Sequence, residues 1–183
     1  MPRVAILAMV LPVTIAALTA CSPTVAMEPA ADATNPGCAD VIVHLPTSVA
    51  DQPQRETNAQ ATSAWGQPTA VLLRCGVTPP GPSENICFTV KGVDWLRDES
   101  KAPRYVFTTY GRTPAVQVVI DTDLTQGQGT IILDELGNSV GLIKQTRKCT
   151  TTEDVLGSAG ITPTPAPTPS TSPGPTPSPT PTR

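Results

Sequence analysis

Thr69-Ala70-Val71-Leu72-Leu73-Arg74-Cys75-Gly76 is the stretch on which the fold reading turns. Val71, Leu73 and Cys75 fall on one face of an extended chain, and Ala70, Leu72 and Arg74 fall on the other. Successive side chains of a strand point to opposite faces, so this alternation predicts a strand with one buried side. Cys87–Trp95 follows as its expected hairpin partner. Downstream, Arg104–Tyr110 and Pro114–Ile120 predict a second hairpin around the short turn Gly111-Arg112-Thr113. Upstream, Val41–Leu45 reads as a short strand closed by Pro46, and Asn58–Trp65 as a weak helix stopped by Gly66 and Pro68. Ile132, Leu136, Val140 and Ile143 recur at helical spacing and predict an amphipathic helix from about Ile131 to Lys148. The sum is an α+β domain, a small, mostly antiparallel sheet with a C-terminal helix packed on it.

Such a domain needs reinforcement, because aromatic residues are only 3% of the chain and the core must rest on Val, Leu and Ile. The cysteines offer it. Of five, Cys21 directly follows an N-terminal leader and is set aside for lipidation, which leaves Cys38, Cys75, Cys87 and Cys149, an even set suited to two disulfides in an exported protein. Four cysteines allow three pairings. The expected one is Cys75–Cys87, bracketing the Thr-Pro-Pro-Gly-Pro loop, together with Cys38–Cys149. A zinc site is disfavoured, since no Cys-x-x-Cys spacing occurs and His44 is the only histidine. No metal or other cofactor is expected.

The leader itself is readable. Arg3 precedes an apolar run from Val4 to Leu18, and Leu18-Thr19-Ala20-Cys21 ends it. This is a signal peptide over residues 1–20 with a bacterial lipobox, in which Cys21 receives the lipid and becomes the new N-terminus. The run is short for a membrane span of roughly 20 residues and is broken by Pro12. Two acyl chains suffice to hold a protein on a bilayer, at about 0.8 kcal/mol per buried methylene. The expected location is therefore the outer face of the bacterial cytoplasmic membrane. Residues 21–36 lack periodicity and read as a lipidated flexible tether reaching roughly 20 Å. The domain spans residues 37–151. Residues 152–183, dominated by Thr and Pro, read as a disordered tail favouring extended polyproline II.

Charge narrows the partners. The chain carries −3, and loss of Arg3 with the leader makes it −4, so no basic stripe points to nucleic acid. Catalytic inventory is thin. Gly137-Asn138-Ser139-Val140-Gly141 fits the G-x-S-x-G pattern, but its place inside the expected C-terminal helix denies it the preceding strand that a nucleophile elbow needs. His44 precedes that serine, the reverse of the hydrolase order. Asp121-Thr122-Asp123 reads as a solvated turn leading into the helix.

A polar and aromatic set remains: Trp65, Arg74, Asp94, Trp95, Tyr110 and Arg112. Arg74 inside an apolar strand is costly unless paired, and Asp94 on the expected partner strand is its candidate counter-ion. Arg112 lies in a turn expected to be exposed. One reading is a structural Arg74–Asp94 pair capped by tryptophans. The other is a ligand cleft using Trp65, Arg74, Trp95, Tyr110 and Arg112.

In this order, Trp65-Gly66-x-Pro68, Leu73-Arg74-Cys75-Gly76-Val77, Val93-Asp94-Trp95-Leu96 and Thr109-Tyr110-Gly111-Arg112-x-Pro114 resemble an actinobacterial envelope family catalogued as domain of unknown function 3515. The likeness covers about Cys38 to Cys149. It implies an exported, often lipid-anchored protein and no activity. The expected function is a non-catalytic, lipid-anchored envelope protein whose disulfide-stapled domain binds an envelope protein or wall glycan. The alternative is a solute- or glycan-binding lipoprotein using the Trp/Arg cluster.

Overall fold

The structure, a computed structural model, describes residues 23–150. The expected signal peptide, Cys21 and the expected tail from 152 onward lie outside the described residues. The chain divides into two units, Met1–Lys148 and Cys149–Arg183, and the fold is that of the first. Its elements are α1 (Pro36–Val43), β1 (Ser48–Val49), β2 (Gln52–Arg55), β3 (Thr62–Trp65), β4 (Val71–Val77), β5 (Ile86–Val90), β6 (Val93–Asp98), β7 (Arg104–Thr109), β8 (Ala115–Asp121) and α2 (Gly129–Val140). The strands form one eight-stranded sheet in the order β1-β2-β3-β4-β8-β7-β6-β5, with every neighbouring pair antiparallel.

The alternation that predicted β4 is realised in its burial. Val71, Leu73 and Cys75 are fully buried, whereas Leu72 and Arg74 are half-buried on the opposite face. Val116, Val118 and Ile120 of β8, and Phe107 of β7, continue the covered face, over which α2 packs Ile132, Leu136 and Val140. The second expected hairpin is present as β7 and β8, with Phe107 opposite Val118 and Thr108 opposite Gln117.

Four local expectations change. Cys87–Trp95 does not pair with β4. It folds on itself, β5 against β6 across Lys91-Gly92, while β4 lies between β3 and β8. The predicted strand at Val41–Leu45 is instead the end of helix α1 and the residues after it. The Asn35 side chain accepts from the Gly37 N–H at 3.0 Å and Pro36 stands in the first turn, a start signal strong enough to override the β-branched composition. The predicted helix at Asn58–Trp65 is a turn followed by β3, because pairing with β4 through Thr62–Arg74 and Trp65–Val71 outweighs weak local propensity. Finally, α2 ends at Val140 rather than Lys148. The following residues fold back onto the β7–β8 turn, where Thr146 donates to the Gly111 carbonyl at 2.7 Å.

The tether is also different. From Pro23 to Asn35 the chain is strapped to the sheet. Val25 donates to Glu56 at 2.8 Å and bridges Thr57, Met27 donates to the Asn58 side chain at 2.8 Å, and Asp32 donates to Gly76 at 3.0 Å. Gly76, at φ +96°, is needed there, because a Cβ would sit 2.5 Å from the Asp32 carbonyl oxygen.

The two disulfides are present but paired differently. Cys38 of α1 joins Cys75 of β4 with Cα atoms 5.5 Å apart, and Cys87 and Cys149 are also disulfide-bonded. The expected Cys75–Cys87 link is excluded by strand order. Three strands separate β4 from β5, a gap of about 19 Å at normal strand spacing, against the 7 Å or so a disulfide can bridge.

Candidate functional site

The expected Trp/Arg cluster is divided between the two faces and the two ends of the sheet. Trp65 and Trp95 have no solvent exposure. The Trp65 indole N–H donates to the Pro46 carbonyl at 3.1 Å, tying β3 to the loop after α1. Trp95 lies between Phe88 and Thr109 across the strands. Neither ring can stack on a ligand from solvent.

Arg74 and Asp94 do not meet, because β8 and β7 intervene between their strands. Arg74 instead donates from Nε to Gln117 Oε1 at 2.9 Å on the neighbouring strand. The cation associated with Asp94 is Arg112. That residue, expected exposed, is 4% exposed, and its guanidinium donates to the carbonyls of Ile143 and, at 3.0 Å, Gly92. Burial pushes the Arg112 pKa below the usual arginine value, and the Asp94 carboxylate pulls it back up. Asp94, itself 4% exposed, accepts from Thr89 at 2.6 Å and Gln145 at 2.8 Å. These bonds lock the β5–β6 turn, the β7–β8 turn and the segment after α2 into one staple. Tyr110 is half-buried beside them, with the Arg147 guanidinium 5.4 Å from its ring centre.

Arg74 borders open space. On the sheet face opposite the helices, a hollow of about 490 Å³ has Leu72, Val106 and Val119 as its floor and Arg74, Lys101 and Arg104 along its walls. Strap residues Ala26, Met27 and Glu28 form one rim. Arg104 also approaches Asp121 at 3.5 Å, and Asp98 is held below the usual carboxylate pKa, chiefly by the Ser100 N–H. The aliphatic floor escaped sequence reading. Leu72 was placed on this face by alternation, but its neighbours Val106 and Val119 join it only through the strand order.

A second hollow, also of about 490 Å³, opens between α2 and the outer strands. Phe88 and Tyr105 line it, with Arg97 bound to Glu99 at 2.5 Å. Ser139 lies within α2, 2% exposed, and its hydroxyl donates to the His44 backbone carbonyl at 2.6 Å. The His44 ring is exposed and contacts the Asp40 carbonyl at 2.8 Å. Ser139 and the His44 imidazole therefore share no hydrogen bond. Asp121 caps its own turn by accepting from the N–H groups of Asp123 and Leu124, not at the start of α2, where no side-chain cap is made. Among the described residues no group of three or more His, Cys, Asp and Glu could hold a metal ion.

No curated protein and no solved structure matches the chain. The sequence profile of one family does, from residue 3 to residue 148, the last residue of the first unit. Because that match spans most of its length, the chain belongs to the family described as protein of unknown function DUF3515.

Proposed function

We propose that this chain is a non-catalytic, lipid-anchored cell-envelope protein, held on the outer face of the bacterial cytoplasmic membrane, whose domain binds an envelope partner through its open sheet face. The observation that carries the reading is the trough there. Half-exposed aliphatic side chains lie beside Arg74, Lys101 and Arg104, with Glu28 and Asp98 also lining the hollow, whereas Trp65, Trp95 and Arg112 are interior. A surface of this kind, apolar at the centre and charged at the rim, suits a protein partner.

Export is supported by the leader and the disulfides, which persist in oxidising compartments. The family match, which begins inside the leader and runs past Cys21, treats leader and domain as one unit. A non-catalytic role is supported by the placement of Ser139 inside a helix. A second reading, binding of a wall glycan, is favoured by the aromatic hollow of Phe88 and Tyr105 with its Arg97–Glu99 pair, since sugar rings stack on exposed aromatic faces. Neither reading involves a cofactor or nucleic acid.

The test is site-specific photo-cross-linking on intact cells. A cross-linker at Val119, in the trough, should give a discrete protein adduct that Arg74→Glu abolishes, and one at Tyr105 should give none. Adducts to glycan from Tyr105, with none from Val119, would replace the first reading by the second.

A further inference from the structure

The strap changes what a lipid at Cys21 would do. We infer that the domain is moored flush against the bilayer in one orientation, its end bearing the β3–β4 turn turned toward the lipid headgroups. This inference rests on the lipid-anchor reading above and adds the geometry.

A free tether over residues 21–36 would let the domain roam. Instead, Pro23 is already held to the domain. Arg55 donates to the Pro23 carbonyl at 2.6 Å and, from its other terminal nitrogen, to Thr69 Oγ1 at 2.8 Å and the Gly66 carbonyl at 3.2 Å. One half-buried guanidinium thus clamps the start of the strap to the β3–β4 turn. Val25, Met27 and Asp32 then fasten the chain along β2, β3 and the end of β4. Cys21 is two residues before Pro23, and two extended residues span at most about 7 Å. An acylated Cys21 would therefore keep the Pro23 end within about that distance of the headgroups.

Hydrogen bonds identify the rest of that end. Ala70, closing the β3–β4 turn, accepts from Asp121 at 2.9 Å, and Thr122 donates to Pro103 at 3.0 Å. The loops following β6 and β8 hence lie at the same end of the sheet as the β3–β4 turn. The opposite end holds the Lys91-Gly92 and Gly111-Arg112 turns and the Pro80–Arg147 contact. It stands about 23 Å away, the length of the seven residues of β4. Lys101 and Arg104 border the trough at the near end. A partner in the trough is consequently one held at the same membrane.

The experiment uses the full lipidated chain in vesicles of phosphatidylethanolamine and phosphatidylglycerol carrying a nitroxide-headgroup lipid. A fluorophore is introduced through an encoded azide at Asp123, at the near end, or at Gly81, at the far end, where a side chain meets open space. Flotation with wild type and Cys21→Ala tests the anchor first, and a Cys21→Ala protein that still floats defeats the lipid-anchor reading itself. With the anchor intact, the Asp123 label should be quenched several-fold more than the Gly81 label. A Gly/Ser spacer of a dozen residues inserted between Ser22 and Pro23 should erase that difference. Equal quenching at both ends, or quenching that the spacer leaves unchanged, would overturn the flush orientation while leaving the anchor standing.

Discussion

Arg112 and Arg74 exchange the roles that their local sequence suggests. Arg112 follows a glycine in a turn, yet it is sealed at 4% exposure by the segment after α2 and donates to two backbone carbonyls. Arg74 is surrounded by Leu72, Leu73 and Cys75, yet it lies half-buried on the open face with a neutral glutamine as its partner. A cation's neighbours along the chain set which face it takes. What covers that face is decided by elements far away in sequence. The Arg112 region is consequently a structural staple, and the Arg74 region is a surface available to a partner.

The sharpest way to break this comparison is to weaken the covered side at its covalent link. Cys38→Ala combined with Cys75→Ala opens a connection across 37 residues and should cost about 4 kcal/mol on the chain-entropy view, read from denaturant unfolding under non-reducing conditions. A loss below about 1 kcal/mol would mean that α1 is held on β4 by packing alone.

Next comes Arg112→Ala, expected to cost about 3 kcal/mol, because the Ile143 and Gly92 carbonyls lose their donor and the buried Asp94 carboxylate loses a nearby cation. Arg112→Lys should rescue little, since an ammonium cannot reproduce the planar fork that reaches both carbonyls. A variant melting like wild type would remove the staple. Gly111→Ala should cost about 1–3 kcal/mol. Its φ of +72° disfavours a side chain, and a Cβ would collide with the Arg147 backbone. Gly81→Ala, in open space, serves as the neutral control.

Arg74→Ala should change stability by no more than about 0.5 kcal/mol while removing the cross-links formed from the trough. A large loss of stability would return Arg74 to a structural role. The smallest effect concerns Asp98. Its folded pKa is lowered by the Ser100 N–H, so its contribution is complete above the ordinary carboxylate value and fades as the pH falls through the lower folded value. Asp98→Asn should therefore lower stability slightly at neutral pH, flatten the acid limb of a stability-versus-pH curve, and leave stability at low pH unchanged.

Much of the architecture was legible in the residues. The alternation of β4, the β7–β8 hairpin and the helical spacing of Ile132, Leu136 and Val140 all survive, because period-two and period-3.6 burial are imposed locally. The start of α1 at Asn35-Pro36 lies inside the stretch read as a tether, so the β-branched run after it reads as a strand. The trough was not legible. Leu72, Val106 and Val119 are dispersed in sequence and become one surface only when β8 and β7 assemble beside β4.

By itself, the sequence determined the fold class, the even set of cysteines and the family resemblance, since each is written in composition or in short-range spacing. The tertiary structure decided which cysteines meet, which arginine is buried and that the supposed tether is a strap. Those outcomes depend on strand order and on segments returning from distant positions, and no local pattern records where a returning chain will close.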